Sequence, residues 1–516
     1  MTAAAIGRVD VRQKIGFVAM IFGMFMAILD IQIVSSSIAQ IQAGVAASAD
    51  EITWVQTAYL IAEIVMIPLS GLLARALSTR MLFVISCAGF TAMSFLCAEA
   101  TNMDQMILFR VLQGFLGGAM IPTVFATGFR LFPGNQVITV VIGLVATCAP
   151  TVGPTIGGYL TETYSWHWLF LINVLPGVAV TALVWLLIDI DRPEYRILRT
   201  IEPIGLISMA VFLGGLEYVL DEGPRWDWFE DGSVRLIASA SAIGAAIFFW
   251  RTLTSDRPVV ELRAFLNRNF LLGSLLQFVL GIGLYGATYI TPLFLGRVRG
   301  YNALEIGNTM FIGGLSMLFA APVAGALSSK FDPRAVIAGG FGLAALGLYL
   351  NSILTADSAF WELFLPQAVR GVGFMLSMVP VTNLALGTLS PEQLNNASGL
   401  FNLMRNLGGA IGLAGINTVL TDRLAVHLSR LSDHLSLART QVQAFVDRTS
   451  DRLGGQIAGD GTMAAIRQLS AILNREATIL TFSDCLIVMA ACFAVALVLI
   501  PLVAKPKVGG ASIAAH

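Results

Sequence analysis

The chain has 516 residues, of which 56% are hydrophobic and 12% charged, about half the roughly 25% of a soluble domain. A soluble fold could not cover that much apolar surface, and a formal net charge of -1 excludes a global basic field that would draw in nucleic acid. The apolar residues fall in blocks of about 20, the length that crosses a hydrocarbon core of roughly 30 Å. Lipid offers backbone groups no water to bond, so each block is expected to be a helix and the fold class all-α and polytopic.

Arg8, Arg12 and Lys14 precede the first block in the manner of a signal peptide. The run from Ile15 to Ile38 is too long for a signal core and contains Asp30, so it is read as the first span. Spans are predicted at 15–38, 53–73, 81–100, 106–129, 137–160, 168–188, 203–221, 234–253, 270–294, 303–329, 335–354, 360–387, 397–421 and 480–504. Arg-Pro at 192–193 and 257–258, Glu-Gly-Pro at 222–224 and Ser-Pro at 390–391 punctuate the loops. With a cytoplasmic N-terminus, 17 of the 31 Lys and Arg residues fall on the cytoplasmic side and three, Arg225, Arg297 and Arg299, in short outer loops. The bias predicts that both termini are cytoplasmic.

Weak repetition divides the chain. Gly71 to Arg80 after span 2 has a counterpart in Gly325 to Arg334 after span 10, and Arg110 in span 4 has one in Arg370 of span 12. The expected organisation is an N-terminal six-helix half over 1–188, two inserted helices with linkers over 189–269, and a C-terminal half over 270–504, followed by a cytoplasmic tail at 505–516. Repeats of this kind place a substrate site at their interface. Within the second half, 422–479 is different in kind. Leu424, Leu428, Leu431 and Leu435 make one apolar helical stripe. Gly454-Gly455 and Gly459 to Gly461 interrupt it, and a second helix is expected from Met463 into Leu480. This reads as a helical hairpin outside the membrane, either capping its own transporter or docking a partner.

Ionisable residues inside spans carry the chemistry, because they are costly there and usually functional. Asp30 lies in the outer half of span 1 and Arg110 at similar depth in span 4. Glu63, Arg370 and Arg405 are near the middle of their spans, and Glu217 is in the outer half of span 7. Low dielectric disfavours an ionised carboxyl, which lets it load and release protons near neutral pH, and a nearby arginine opposes that effect. Asp30, Glu63 and Glu217 are thus candidate coupling acids and Arg110 a partner that tunes one. Arg370 and Arg405 could equally pin helices together. In span 5, Pro150 and Pro154 are expected to kink the helix, while Gly153, Gly157 and Gly158 admit a close neighbour. The five cysteines sit in apolar segments with no metal-ligand spacing and read as packing residues. With no phosphate-loop motif and four histidines, neither ATP hydrolysis nor a metal site is predicted, no cofactor is implied, and no clustered catalytic set suggests an enzyme. His427 and His434 read as solvated surface.

At these residues the chain resembles the major facilitator superfamily, specifically the fourteen-span drug:proton antiporters of the EmrB/QacA type. Leu29-Asp30 with Gln32 to Ser37 looks like the first-span motif. Leu108 through Gly118, around Arg110, is close to the fourth-span motif, whose arginine is tied to proton translocation. Gly153-Pro154 with Gly157-Gly158 matches the antiporter motif of span 5. Phe401 to Gly409 and the late outer loop look EmrB-like. The resemblance implies two six-helix halves plus two inserted helices in the inner membrane, exporting hydrophobic drugs or toxic compounds in exchange for protons. Single-metabolite export and uptake symport are alternatives on the same fold. It also implies a periplasmic adaptor in two-membrane bacteria. The loop motif formed by Gly71, Arg75 and Arg80 departs from the family, which usually has an acid at the position of Arg75 and a glycine at that of Ser78, so the usual acid-to-arginine latch cannot form there.

Overall fold

The computed structural model describes residues 10–35, 37–48, 51–133, 135–255, 258–390, 393–433, 435, 439–454 and 461–504. The expected tail at 505–516, with Lys505 and Lys507, lies outside them, as do Arg8, His434 and the glycines at 455 and 459. The described residues are helical, with short 3-10 turns between helices and no strand among them. Twelve of these helices are long and apolar enough to cross a membrane, and a bent pair makes a thirteenth.

The first half begins with α1 (Val11–Ser35), a short α2 (Ile38–Gly44), α3 (Trp54–Leu77) and α4 (Thr79–Ala98). Span 4 is one crossing from Met103 to Leu131, with a two-residue turn between α5 (Met103–Gly117) and α6 (Met120–Leu131). The turn is Gly118-Ala119, both in helical conformation; a Cβ on Gly118 would stand 2.9 Å from the Glu63 carbonyl oxygen, so α3 occupies the room that a side chain would need. Next comes α7 (Gln136–Thr163), bent by 46° between Val137–Pro150 and Val152–Thr163. The bend sits at Pro150, and Pro154 follows one turn later, each removing a helix donor. Span 6 is a short α8 (Trp168–Leu171) and α9 (Val174–Leu187).

The inserted pair is α10 (Pro203–Glu222) and α11 (Gly232–Thr254), packed on each other, with α10 also against α3. The second half holds α12 (Arg268–Arg299), α13 (Ala303–Lys330), α14 (Pro333–Asn351), α15 (Phe360–Leu386), α16 (Leu394–Ser432), α17 (Thr440–Gly454) and α18 (Gly461–Ala496). Helix α16 is absent from the apolar set. Asn402, Arg405 and Asn406 lower its hydropathy, and the protein buries Asn402 and Arg405 away from lipid.

The repeat seen in the sequence corresponds to paired contacts across the halves. Helix α3 packs on α16, and α13 packs on α7. A Cβ on Gly71 would lie 2.8 Å from the Asn396 Cα, and one on Gly325 would lie 2.7 Å from the Val140 side chain. Each repeated glycine is therefore where the second span of one half meets the fifth span of the other. Both contacts lie at the end of the bundle where α1 begins, here called the N-terminal face. The opposite end, which carries the 422–479 segment, is the hairpin face.

That segment is built from span extensions. Helix α16 continues as one 39-residue helix to Ser432, and α18 enters its span from Gly461. A third helix, α17, lies between them and packs on α18 through buried Val442 and Val446. The expected two-helix hairpin is thus three helices, because the stripe helix stops at Ser432-Asp433 instead of running to the glycines. Leu424, Leu428, Leu431 and Leu435 are half-buried. Leu424 lines a cavity of about 410 Å³ with Arg297, Ala471, Asn474 and Arg475. Arg423 Nε and His427 Nε2 reach Asp484 Oδ2 at 2.6 and 2.9 Å. His427 is therefore a tether between α16 and α18, which corrects its reading as solvated surface.

Ser78 stands at φ +82°, ψ 152°, a region that glycine adopts almost alone. It is also the position where the resembled motif has glycine. The Ser78 hydroxyl accepts from Met81 N at 3.3 Å, capping α4. Strain of this kind costs on the order of 1–3 kcal/mol, whereas exchanging a serine cap for glycine costs only a few tenths. Ser78→Gly is therefore expected to raise the apparent melting temperature of the detergent-solubilised protein, and Ser78→Val to lower it. Equal melting curves for the three proteins would discard the strain argument.

Candidate functional site: a buried ion pair and unpartnered charges

Asp30 and Arg110 meet inside the first half. The Arg110 Nη1 stands 2.5 Å from Asp30 Oδ2, and neither side chain has any solvent exposure. The hydrogen bonding is nearly complete. Asp30 Oδ1 accepts from Gln113 Nε2 at 3.1 Å and from Asn173 Nδ2 at 2.9 Å. Arg110 Nε donates to the Val55 carbonyl at 2.8 Å, and its Nη1 also donates to Gln113 Oε1 at 2.8 Å. Its Nη2 has no acceptor, but the guanidinium lies 4.3 Å from the Tyr59 ring centroid, a cation–π contact. Gln113 is held in turn by Ser94 Oγ at 2.7 Å. Five elements, α1, α3, α4, α5 and the turn before α9, thus converge on one carboxylate.

Local sequence explains the convergence. Arg110 and Gln113 are three apart and share a face of α5. One turn beyond Arg110, Gly114 brings α5 onto α3, where a Cβ would stand 2.2 Å from the Tyr59 carbonyl oxygen. Gly153 of the kinked α7 does the same against α1, its Cβ position lying 2.5 Å from the Gln32 Cβ. Pro150, Pro154, Gly157 and Gly158 are buried around it.

Glu63 and Glu217 lie elsewhere. Glu63 on α3 is 1% exposed and Glu217 on α10 is 5% exposed. Neither joins the Asp30 pair, and Glu63 Oε1 and Glu217 Oε2 have no hydrogen-bond partner. Arg405 on α16 is 1% exposed, with Nε, Nη1 and Nη2 all unpartnered. Arg370 on α15 is likewise buried, with Nε and Nη1 unpartnered. Ion pairs that would pin helices at these two arginines are absent from the described residues.

Arg75 and Arg80 occupy the N-terminal face. Arg80 pairs with Asp189 at 3.8 Å and stacks on Trp185. Arg75 pairs with Glu261 at 3.2 Å, and Glu261 exchanges backbone hydrogen bonds with the Asn396 side chain of α16, at 2.7 and 3.3 Å. Gly71, one turn before Arg75, seats α3 on that same Asn396. Where the resembled motif has an acid, this chain carries a cation and takes the acid from the linker after the inserted pair.

Sequence reading missed Asn173 and Ser94, uncharged residues in apolar surroundings with no motif around them. It also missed two acids at predicted spans. Asp221, the last residue of 203–221, accepts from Thr57 of α3. Asp484, inside 480–504, was legible as a carboxylate in an apolar run. Among the described residues no cluster could hold a metal ion, and the cysteines are free thiols.

The profile of the Major Facilitator Superfamily matches residues 20–413. The chain belongs to that superfamily. The colistin resistance protein EmrB of Acinetobacter baumannii is 43% identical over 92% of this chain and 93% of its own length. The fatty acid resistance protein FarB of Neisseria gonorrhoeae is 28% identical, covering 94% of each, and the multidrug export protein EmrB of Escherichia coli K12 is 28% identical over 83% and 84%. The solved human organic anion transporter MFSD10 shares the fold, with a TM-score of 0.59 at 12% identity over 95% of this chain and 100% of that one. The protein is therefore a multi-pass membrane transporter of the EmrB-like kind and not an enzyme.

In this transporter, removing one partner of the ion pair strands the other charge in the interior, at about 3–5 kcal/mol. Asp30→Asn and Arg110→Gln should each lower the melting temperature, and the double variant should lose less than the sum of the two. Strictly additive losses would show that the pair is not coupled.

Proposed function

We propose that the transporter is a proton-coupled exporter of hydrophobic toxic compounds, moving them across the inner membrane by alternating access. The observation that carries this reading is the set of buried acids. One, Asp30, is locked to an arginine, while two others, Glu63 and Glu217, are buried without full hydrogen bonding. Such acids can change protonation when the halves rearrange, and Arg110 sets the state of Asp30. The relatives named for colistin resistance, fatty acid resistance and multidrug export support an outward direction, as does the proline–glycine bend in α7.

Fourteen spans follow if α7 counts once and α16 is the remaining crossing, with both ends then cytoplasmic as the charge bias requires. The two halves plus α10 and α11 remain the preferred division of the chain. Arg75, Glu261 and Asn396 would form a latch of reversed polarity that closes the cytoplasmic side and ties the inserted pair to it. The hairpin face would be periplasmic, and α16–α18 beyond the membrane would dock the adaptor.

Substrate-driven proton release in proteoliposomes tests the coupling acids. Asp30→Asn and Glu63→Gln should each abolish it while the protein remains folded, and unchanged exchange in both would discard the assignment. The docking role has a separate test, replacement of residues 424–461 by a short flexible linker. Transport in proteoliposomes should persist, while resistance in cells that contain the adaptor should be lost. Retained resistance would reject docking, and lost liposome transport would make the hairpin part of the transporter's own structure.

A further inference from the structure

Two cavities of different charge lie at opposite ends of the molecule. The one on the N-terminal face, about 670 Å³, is lined by three arginines, Arg75, Arg196 and Arg263, and by three acids, Glu194, Glu202 and Glu261. The one on the hairpin face, the cavity of about 410 Å³ beside Leu424, is lined by Arg297 of α12 and Arg475 of α18 and, among the described residues, by no acid. Asn474 and Thr478 stand on its polar side, and Val298, Leu420, Leu424 and Phe482 on its apolar side. The first cavity is balanced in charge and the second is cationic.

The protein supplies little counter-charge there. Of the three arginines in short outer loops, Arg225 pairs with Glu222 at 3.7 Å and Arg299 with Asp357 at 3.8 Å, whereas Arg297 joins no ion pair among the described residues. Arg475 meets its chain neighbour Glu476 at 3.7 Å, both about half exposed, a contact that water screens. The polar neighbours are turned inward, since Asn474 Nδ2 donates to the Ser470 carbonyl at 2.9 Å and Thr478 Oγ1 to the Asn474 carbonyl at 2.6 Å. The cavity is closed beneath. Phe482 meets Phe294 edge-on with ring centroids 5.8 Å apart, and both rings are buried. It therefore lies off any path through the bundle. Its depth is that of the span ends. Leu420 is near the end of the span at 397–421, Phe482 near the start of that at 480–504, and Arg297 just past that at 270–294. At 1.5 Å per residue Arg297 stands about 5 Å beyond the hydrocarbon, within the headgroup layer.

We propose that this cavity binds the phosphate of an anionic phospholipid from the leaflet on the hairpin face, held between Arg297 and Arg475 with its acyl chains left in the bilayer. Guanidinium forks match phosphate oxygens in pairs, and the apolar wall strengthens the attraction by excluding water. The bilayer supplies phosphate at this depth at a local concentration that a dilute soluble anion does not reach. A zwitterionic lipid carries a cation beside its phosphate, which the two arginines repel, so the site selects net negative headgroups. The bound phosphate bridges α12 and α18 and fastens the base of the hairpin to the membrane surface. The proposal needs only a chain that spans a membrane and is independent of export.

The full chain, stripped of lipid in detergent, is titrated by native mass spectrometry with phosphatidylglycerol and with phosphatidylcholine of the same acyl chains. The first phosphatidylglycerol should bind at least about tenfold more tightly than the first phosphatidylcholine, the scale expected for two arginines near a charged headgroup. The double variant Arg297→Gln/Arg475→Gln should remove that preference. The control Arg430→Gln/Arg452→Gln, which takes away two exposed arginines elsewhere on the hairpin face, should keep it. In the native chain, phosphatidylglycerol and not phosphatidylcholine should slow hydrogen exchange in the peptides around Arg297 and Arg475. Equal affinity for the two lipids, a preference that survives the double variant or falls equally in the control, or unchanged exchange at those peptides would each overturn the proposal. Competition identifies the source of the anion. Neither inorganic phosphate nor a short polyglutamate peptide should displace the lipid. Displacement by phosphate would make this a site for a soluble anion, and displacement by polyglutamate a dock for an acidic protein, and either result would reject the lipid.

Discussion

A guanidinium and a carboxylate held 2.5 Å apart with no access to solvent set the geometry of the first half. In low dielectric neither charge is tolerable alone, so every helix that supplies a hydrogen bond to the pair is held in place by it. Asn173 positions the start of α9, Val55 that of α3, and Ser94 the end of α4. The glycine at 114 is a consequence of the same demand, since α5 must come close to α3 for the polar groups to meet.

The second half is organised differently. Its arginines at 370 and 405 are as buried as Arg110 but are not satisfied internally. The related repeats therefore distribute their charge unequally, with the first half holding a buried ion pair and the second two buried arginines that join no ion pair among the described residues. An asymmetry of this sort suits a transporter, in which one half can carry a coupling group while the other meets the cargo.

The N-terminal face shows how a departure from a family motif can be absorbed. Arg75 would repel the positive end of α16 if it stood alone, because a helix N-terminus carries partial positive charge. Glu261 stands beside it and is fastened to Asn396 at that very end. Reversing one charge in the motif is tolerated beside the start of α16 because the linker from the inserted helices brings the opposite charge.

The sequence by itself determined that the protein is a bundle of membrane helices, since blocks of about 20 apolar residues admit no other structure in lipid. It also identified the span 5 bend, from two prolines whose missing donors act locally, and the depth match of Asp30 and Arg110, which follows from counting residues along straight helices. Only the tertiary structure decided which residues complete that pair. Asn173 and Ser94 come from distant parts of the chain and carry no charge that would mark them. It also decided that among the described residues no carboxylate forms an ion pair with Arg405. Whether a buried charge is paired depends on what its neighbours bring, and neighbours across a helix seam leave no trace in local spacing.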